Sequence, residues 1–158
     1  MKTLATIMLS LLAVTSARAD APTSPAALGL AFCAAKDSPD TLITTLVTPA
    51  LAEAIRIAVE RNDTIAKAEP DEKPPLGDGI PFQAYPDVSP QCEVGAISGE
   101  GPGAIVEIRH VFPDAPSAGW TDRLVVGVGA GGALAIDDAL YGPEGDDGLR
   151  KLLASVGE

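Results

Sequence analysis

The sequence predicts an α+β domain: N-terminal helices packed on a four-stranded antiparallel sheet, with a short helix at the C-terminus. Apolar residues recur at helical spacing between residues 25 and 67. From Gly103 to Tyr141, three runs rich in Val, Ile and Leu are separated by one Pro/Gly/Ser loop and one Gly-rich turn, the pattern of an antiparallel meander. Helices first and strands after is the α+β order.

The first nineteen residues stand outside that domain. Lys2 supplies a positive start, Leu4 to Val14 an apolar run, and Ala17-Arg18-Ala19 a small-residue cleavage site, so residues 1–19 read as a signal peptide and Asp20 as the mature N-terminus. The apolar run falls short of the roughly 20 residues that a spanning helix needs. This address is periplasmic or secreted. Losing Lys2 and Arg18 leaves 9 of the 11 basic side chains against 22 acidic ones, a formal charge of −13. A field of that sign repels phosphate backbones and anionic lipid heads, which disfavours nucleic acid and membrane surfaces and favours a cationic partner. Residues 20–158 are one domain's length. With three Phe, two Tyr and one Trp, the core must be mostly aliphatic.

Three Ser/Thr-Pro steps, Ser24-Pro25, Ser38-Pro39 and Thr48-Pro49, each set an N-cap oxygen before a proline at the first helical position. They predict helices over 25–36, 39–47 and 49–67. Leu28, Phe32 and Ala35 form the inward stripe of the first. Leu42 with Leu46 or Ile43 serves the second, and Leu51, Ile55, Val59 and Asn62 the third. From about 69 to 90 the chain turns proline-rich and poor in apolar residues. A loop of that length in a compact domain is either functional or loosely ordered. Ile80, Phe82 and Tyr85 are expected to pin its second half while its acidic first half stays mobile.

Strands are expected over 92–98, 104–112, 122–128 and 133–141. In the second, Ala104, Val106, Ile108, His110 and Phe112 form the buried face. A three-residue loop, Ala130-Gly131-Gly132, pairs Val128, Val126 and Leu124 with Leu134, Ile136 and Asp138. Asp147 is the expected cap of a last helix carrying Leu149, Leu152, Leu153 and Val156. Cys33 and Cys92 are the only cysteines, and an even count in an exported chain favours a disulfide tying the first helix to the first strand.

The segment Gly132-Ala133-Leu134-Ala135-Ile136-Asp137-Asp138-Ala139-Leu140-Tyr141 resembles the last-strand signature of the nuclear transport factor 2-like (cystatin-like α+β) superfamily, with Leu134 where that superfamily often has Trp. Together with the export signal, Ile80-Pro81-Phe82 with Asp87, and Leu149-Arg150-x-x-Leu153, it is similar to a secreted bacterial family of unknown function within that superfamily. The resemblance implies a curved, cone-shaped sheet with helices on its concave side and a pocket between the two layers.

Candidate chemistry is sparse. His110, the single histidine, lies on the apolar face of its strand, where it can serve as a general base or ligand donor at a pocket mouth, or sit partly buried with one backbone hydrogen bond. By the register above Asp138 also faces inward, unless a strand bulge or a salt bridge to Arg109 or Arg123 turns it away. Two strand spacings, about 9.6 Å, separate the pair, so a ligand can bridge them but a direct hydrogen bond cannot form. One His and two distant cysteines make no metal cluster, and Asp137-Asp138 and Asp146-Asp147 point to opposite faces or sit in loops. Nucleophile-elbow, phosphate-loop and dinucleotide motifs are missing from the sequence, and no cofactor is implied. The expected function is a non-catalytic exported domain binding a small molecule or protein partner, in one version an immunity or inhibitor protein against a cationic target. His110, Asp138, Tyr85 and Phe82 are its candidate contacts. The alternative is a small hydrolase, isomerase or dehydratase using His110 or Asp138.

Overall fold

The computed structural model describes residues 21–77, 79–142, 145 and 147–158; residues 1–19, which the sequence reads as a signal peptide, lie outside them. Three helices, α1 (Pro25–Ala35), α2 (Pro39–Thr45) and α3 (Pro49–Ala68), precede four strands, β1 (Gln91–Ser98), β2 (Ile105–Val111), β3 (Trp120–Val128) and β4 (Leu134–Leu140). Helix α4 (Leu149–Ser155) follows. The strands form one open antiparallel sheet in the order β1-β2-β3-β4.

Each Ser/Thr-Pro step opens a helix, but not with the same cap. Ser24 and Thr48 accept from the N–H groups of Ala27 and Leu51, at 3.2 and 3.1 Å, whereas Ser38 makes no side-chain cap bond. On α3 the buried stripe is Leu51, Ile55 and Ala58, and Val59 points outward at 38% exposure. The small Ala58 lets α3 sit closer to its neighbours than a valine would. Asp147 does not cap α4: Gly148 is the N-cap residue, and Asp147 pairs with Lys151 one turn on.

Val106, Ile108, Leu124, Val126 and Ile136 face the helices and meet Leu28, Phe32, Leu42, Leu51, Ile55, Leu149 and Leu153 in one aliphatic core. These side chains fill the space between helices and sheet in which the pocket was expected. At the β3–β4 hairpin Val128 pairs with Leu134 and Val126 with Ile136, as the three-residue loop requires. Gly131 and Gly132 take φ of 69° and 85°, a region side chains rarely enter. Beyond that point the expected register fails. A bulge between Val125 and Val126 sets Ala139, not Asp138, opposite Leu124. Asp138 lies opposite Val125, and a bulge moves the rest of a strand to new partners in this way. Cys33 and Cys92 form a disulfide, with Cα atoms 5.4 Å apart, that fastens α1 to β1.

Candidate functional site

The described residues between 69 and 90 form neither helix nor strand, so their backbone polar groups must find partners elsewhere. The body of the protein supplies them at intervals. Leu76 N–H donates to Asn62 Oδ1 at 2.9 Å. The Tyr141 hydroxyl donates to Pro81 O at 2.6 Å, and Ala84 N–H donates to Asp122 Oδ2 at 3.1 Å. At the far end, Lys36 Nζ donates to Ser89 O at 3.0 Å, and Ser89 Oγ lies 3.2 Å from His110 Nδ1. Phe82 and Leu76 bury their side chains in the core. The apolar anchors are therefore Leu76 and Phe82, with Ile80 half-buried. Tyr85 stays 54% exposed, against expectation.

The loop is braced by a buried polar cluster that follows from strand register. His110 pairs with Trp120 across β2 and β3, and Asp122 is the next β3 residue on the same inner face. Ser89, His110 and Asp122 are each 1% exposed. His110 Nε2 sits 3.3 Å from Asp122 Oδ2, at ion-pair range but off the line of a hydrogen bond. Asp122 accepts at Oδ2 from the Trp120 indole N–H (3.0 Å) as well as from Ala84, and at Oδ1 from Gly142 N–H (3.2 Å). The Trp120 ring stacks on His110 at 4.4 Å and 12°, and Tyr85 meets its edge at 5.2 Å.

Burial, the largest single influence on Asp122, pushes its carboxyl up. The His110 ring beside it and the N–H donors of Ala84, Gly142 and Trp120 together outweigh it and hold the group below the usual carboxylate range. With the folded value below the unfolded one, the unfolded chain binds more protons in acid. The stabilisation is complete above the unfolded value of about 3.9 and is lost as pH falls through the folded one. Urea unfolding across this range should show wild-type stability falling as pH drops below about 5, with a shallower fall in Asp122→Asn. Equal slopes would show that Asp122 is not the group responsible. Burial, and then the negative charges of Asp138 and Asp122, push the Tyr141 phenol well above its ordinary range, so it stays a donor to Pro81 at any working pH.

Serine, histidine and aspartate in this order have the composition of a nucleophile, base and acid. Here they are sealed, and a nucleophile that acts on substrate must be reachable. In this state the set works as a brace. No family model, curated protein or solved structure matches the chain.

Asp138 is occupied elsewhere. Its Oδ1 accepts from the N–H groups of Ala139 and Arg150, both at 2.9 Å, so it satisfies the start of α4 from outside the helix. Asp137 binds Thr48 Oγ1 at 2.8 Å and Arg150 Nη2 at 2.7 Å, joining the starts of α3 and α4 to β4. Among the described residues no group of His, Cys, Asp or Glu is placed to hold a metal ion.

The structure places Tyr85 and Phe82 in the wall of a cleft and His110 and Asp138 outside it. That cleft, about 680 Å³, lies where the proline-rich loop folds back over the ends of α1, α2 and α4. Its apolar wall includes Pro39, Pro74, Leu76, Ile80, Phe82 and Leu152; Lys36, Lys73 and Gln83 supply polar groups. Ser89, Asp122 and Trp120 were missed in the sequence as partners of His110. For Asp122 the signal was present, since it shares the parity of the inward Leu124 and Val126.

Proposed function

We propose that the protein is an exported, non-catalytic domain that holds a small, largely apolar molecule, or a side chain of a protein partner, in the cleft under its proline-rich loop. The observation that carries this reading is the bracing of a loop with no regular structure by buried and half-buried donors and acceptors at Leu76, Pro81, Ala84 and Ser89. A recognition loop ordered in advance spends less binding energy on ordering, which is the use of preorganisation. The cleft volume falls in the range of small-molecule sites, and its walls are apolar with few polar groups, as such sites are. Glu69, Asp71, Glu72 and Asp87 are exposed along the same loop and favour a cationic protein as the larger partner, the immunity or inhibitor version of the reading.

Export is supported by the Cys33–Cys92 bond, of a kind that persists in oxidising compartments. No described helix is long and apolar enough to cross a membrane. Kinship with nuclear transport factor 2-like proteins belongs to the same proposal and rests on the residues of β4 that resemble their last strand.

The test is an amide NMR titration of the mature protein with a fragment library that includes aryl carboxylates and chromogenic esters. Shifts should concentrate between Leu76 and Tyr85, and Tyr85→Ala should weaken the best fragment by roughly tenfold. Hits confined to other surfaces would overturn the cleft assignment, and turnover of any ester would overturn the non-catalytic reading.

A further inference from the structure

The sheet treats its two edges differently. On β4 the outer backbone groups are taken: Leu134 N–H donates to Pro22 O, Ile136 N–H to Leu46 O, and Ile136 O accepts from Thr48 N–H. Tyr141 N–H, just past the strand, donates to Asp147 O. On β1 no backbone-to-backbone bond joins Gln91–Ser98 to any described residue outside β2. The bulge between Val94 and Ile97 turns Ala96 N–H onto the Glu107 carboxylate at 3.0 Å, leaving Gln91 to Val94 as the straight, open run. An open edge is a template for another strand.

Helix α1 lies beside that edge. Gly29 sits so close to Val94 and Val106 that a Cβ there would come within 2.9 Å of each, and Cys33 is bonded to Cys92. At 3.6 residues per turn, the sense that runs from Gly29 to Cys33 carries on to Ala26, Leu30 and Ala34, which therefore look past β1. All three are exposed, Leu30 at 63%. The helix sequence, PAALGLAFCAA, holds no charged or hydroxyl side chain, and on β1 the one charge is Glu93.

We propose that the β1 edge and the outer side of α1 are the interface of a symmetric homodimer. The two β1 strands run antiparallel about a two-fold axis perpendicular to the sheet, and Leu30 and Ala34 of both copies close over the joint. A second copy is the occupant because of charge and symmetry. The chain carries a formal −11, so two copies repel over most of their surfaces, and this nearly neutral strip is where they can meet at low electrostatic cost. An open antiparallel edge is also complementary to itself, as an isologous contact demands. A register centred on Cys92 keeps inner residues facing inner residues. It sets Gln91 of one copy opposite Glu93 of the other, amide against carboxylate, and holds the two glutamates apart. The inference is independent of the cleft, which lies on the loop.

Sedimentation velocity of the mature, disulfide-bonded protein tests it, with hydrogen exchange on the same samples. The expected result is a concentration-dependent dimer in which the amides of Gln91–Val94 are protected. Leu30→Glu and Gln91→Glu should each raise the dimer dissociation constant by roughly tenfold or more, and Val128→Glu, an exposed site at the far end of β3, should not. Gln91→Lys, which puts a cation opposite Glu93, should tighten the dimer and guards against a variant that merely misfolds. A wild-type chain that stays monomeric into the millimolar range overturns the proposal. So does a dimer indifferent to Leu30→Glu, or one whose β1 amides exchange freely because some other surface joins the copies.

Discussion

Asp122→Ala should destabilise the fold by about 3–5 kcal/mol, because three N–H donors, each costing about 1–3 kcal/mol when left unmet, lose their acceptor and relax only in part. The reason is the number of groups left behind. Ala84 N–H, Gly142 N–H and the Trp120 indole N–H, all on half-buried residues, lose their acceptor, and the buried His110 loses its carboxylate neighbour. An unmet buried donor costs about 1–3 kcal/mol, so even partial relaxation leaves a large deficit. The damage should also be local. Ala84 amide exchange should accelerate more than that of Leu76, whose bond to Asn62 does not involve the cluster. Urea unfolding followed by far-UV circular dichroism gives the global figure, and Trp120 fluorescence follows the site itself. A loss below about 1 kcal/mol would mean that the cluster is not what holds the loop.

The helices and strands were legible because each is written locally. Ser24-Pro25 and Thr48-Pro49 state their cap chemistry within two residues, and the alternation Ala104, Val106, Ile108, His110 states a face. What the sequence did not show depends on contacts distant in the chain. The bulge that displaces Asp138 from Leu124 arises where β4 must also carry the start of α4, through the Asp138 carboxylate and Arg150 N–H, twelve residues apart. Val59 and Ala58 are both apolar, and only the approach of neighbouring elements decides which one is buried.

The candidate site divides along the same line. His110 was found because it is unique and in phase with its strand. Its partners were not, because Ser89 belongs to an irregular loop with no periodicity to read, and Trp120 extends β3 two residues before its predicted start. The cleft was invisible for a further reason. It is made by the loop folding back on Leu76 and Phe82, and proline-rich sequence states where a chain cannot be helical, not where it goes. Tyr85 shows the same limit: a large aromatic in a polar loop reads as an anchor, yet it rests edge-on against Trp120 and stays half in solvent.

Removing the Cys33–Cys92 bond should cost about 4 kcal/mol, since in the chain-entropy account a closed loop of roughly 60 residues restricts the unfolded chain by that amount. Against a typical domain stability of about 5–15 kcal/mol this is a large share, and the melting temperature should fall by roughly 10 °C or more. The bond also acts on the native state. Helix α1 holds to the sheet through Leu28, Phe32 and the close seat of Gly29, and it presents no polar group that could hydrogen-bond to β1. Without the bond, α1 can rotate and carry Lys36 away from Ser89 O, freeing the end of the loop nearest β1. Exchange should therefore quicken at residues 84–90 before it does at Leu76. Thiol labelling of denatured, unreduced protein should find no reactive cysteine, and the double variant Cys33→Ser with Cys92→Ser should reproduce the effect of reductant. Two labelled thiols per chain would rule the bond out, and a melting temperature unmoved by reduction would show that packing at Gly29 holds α1 in place without it.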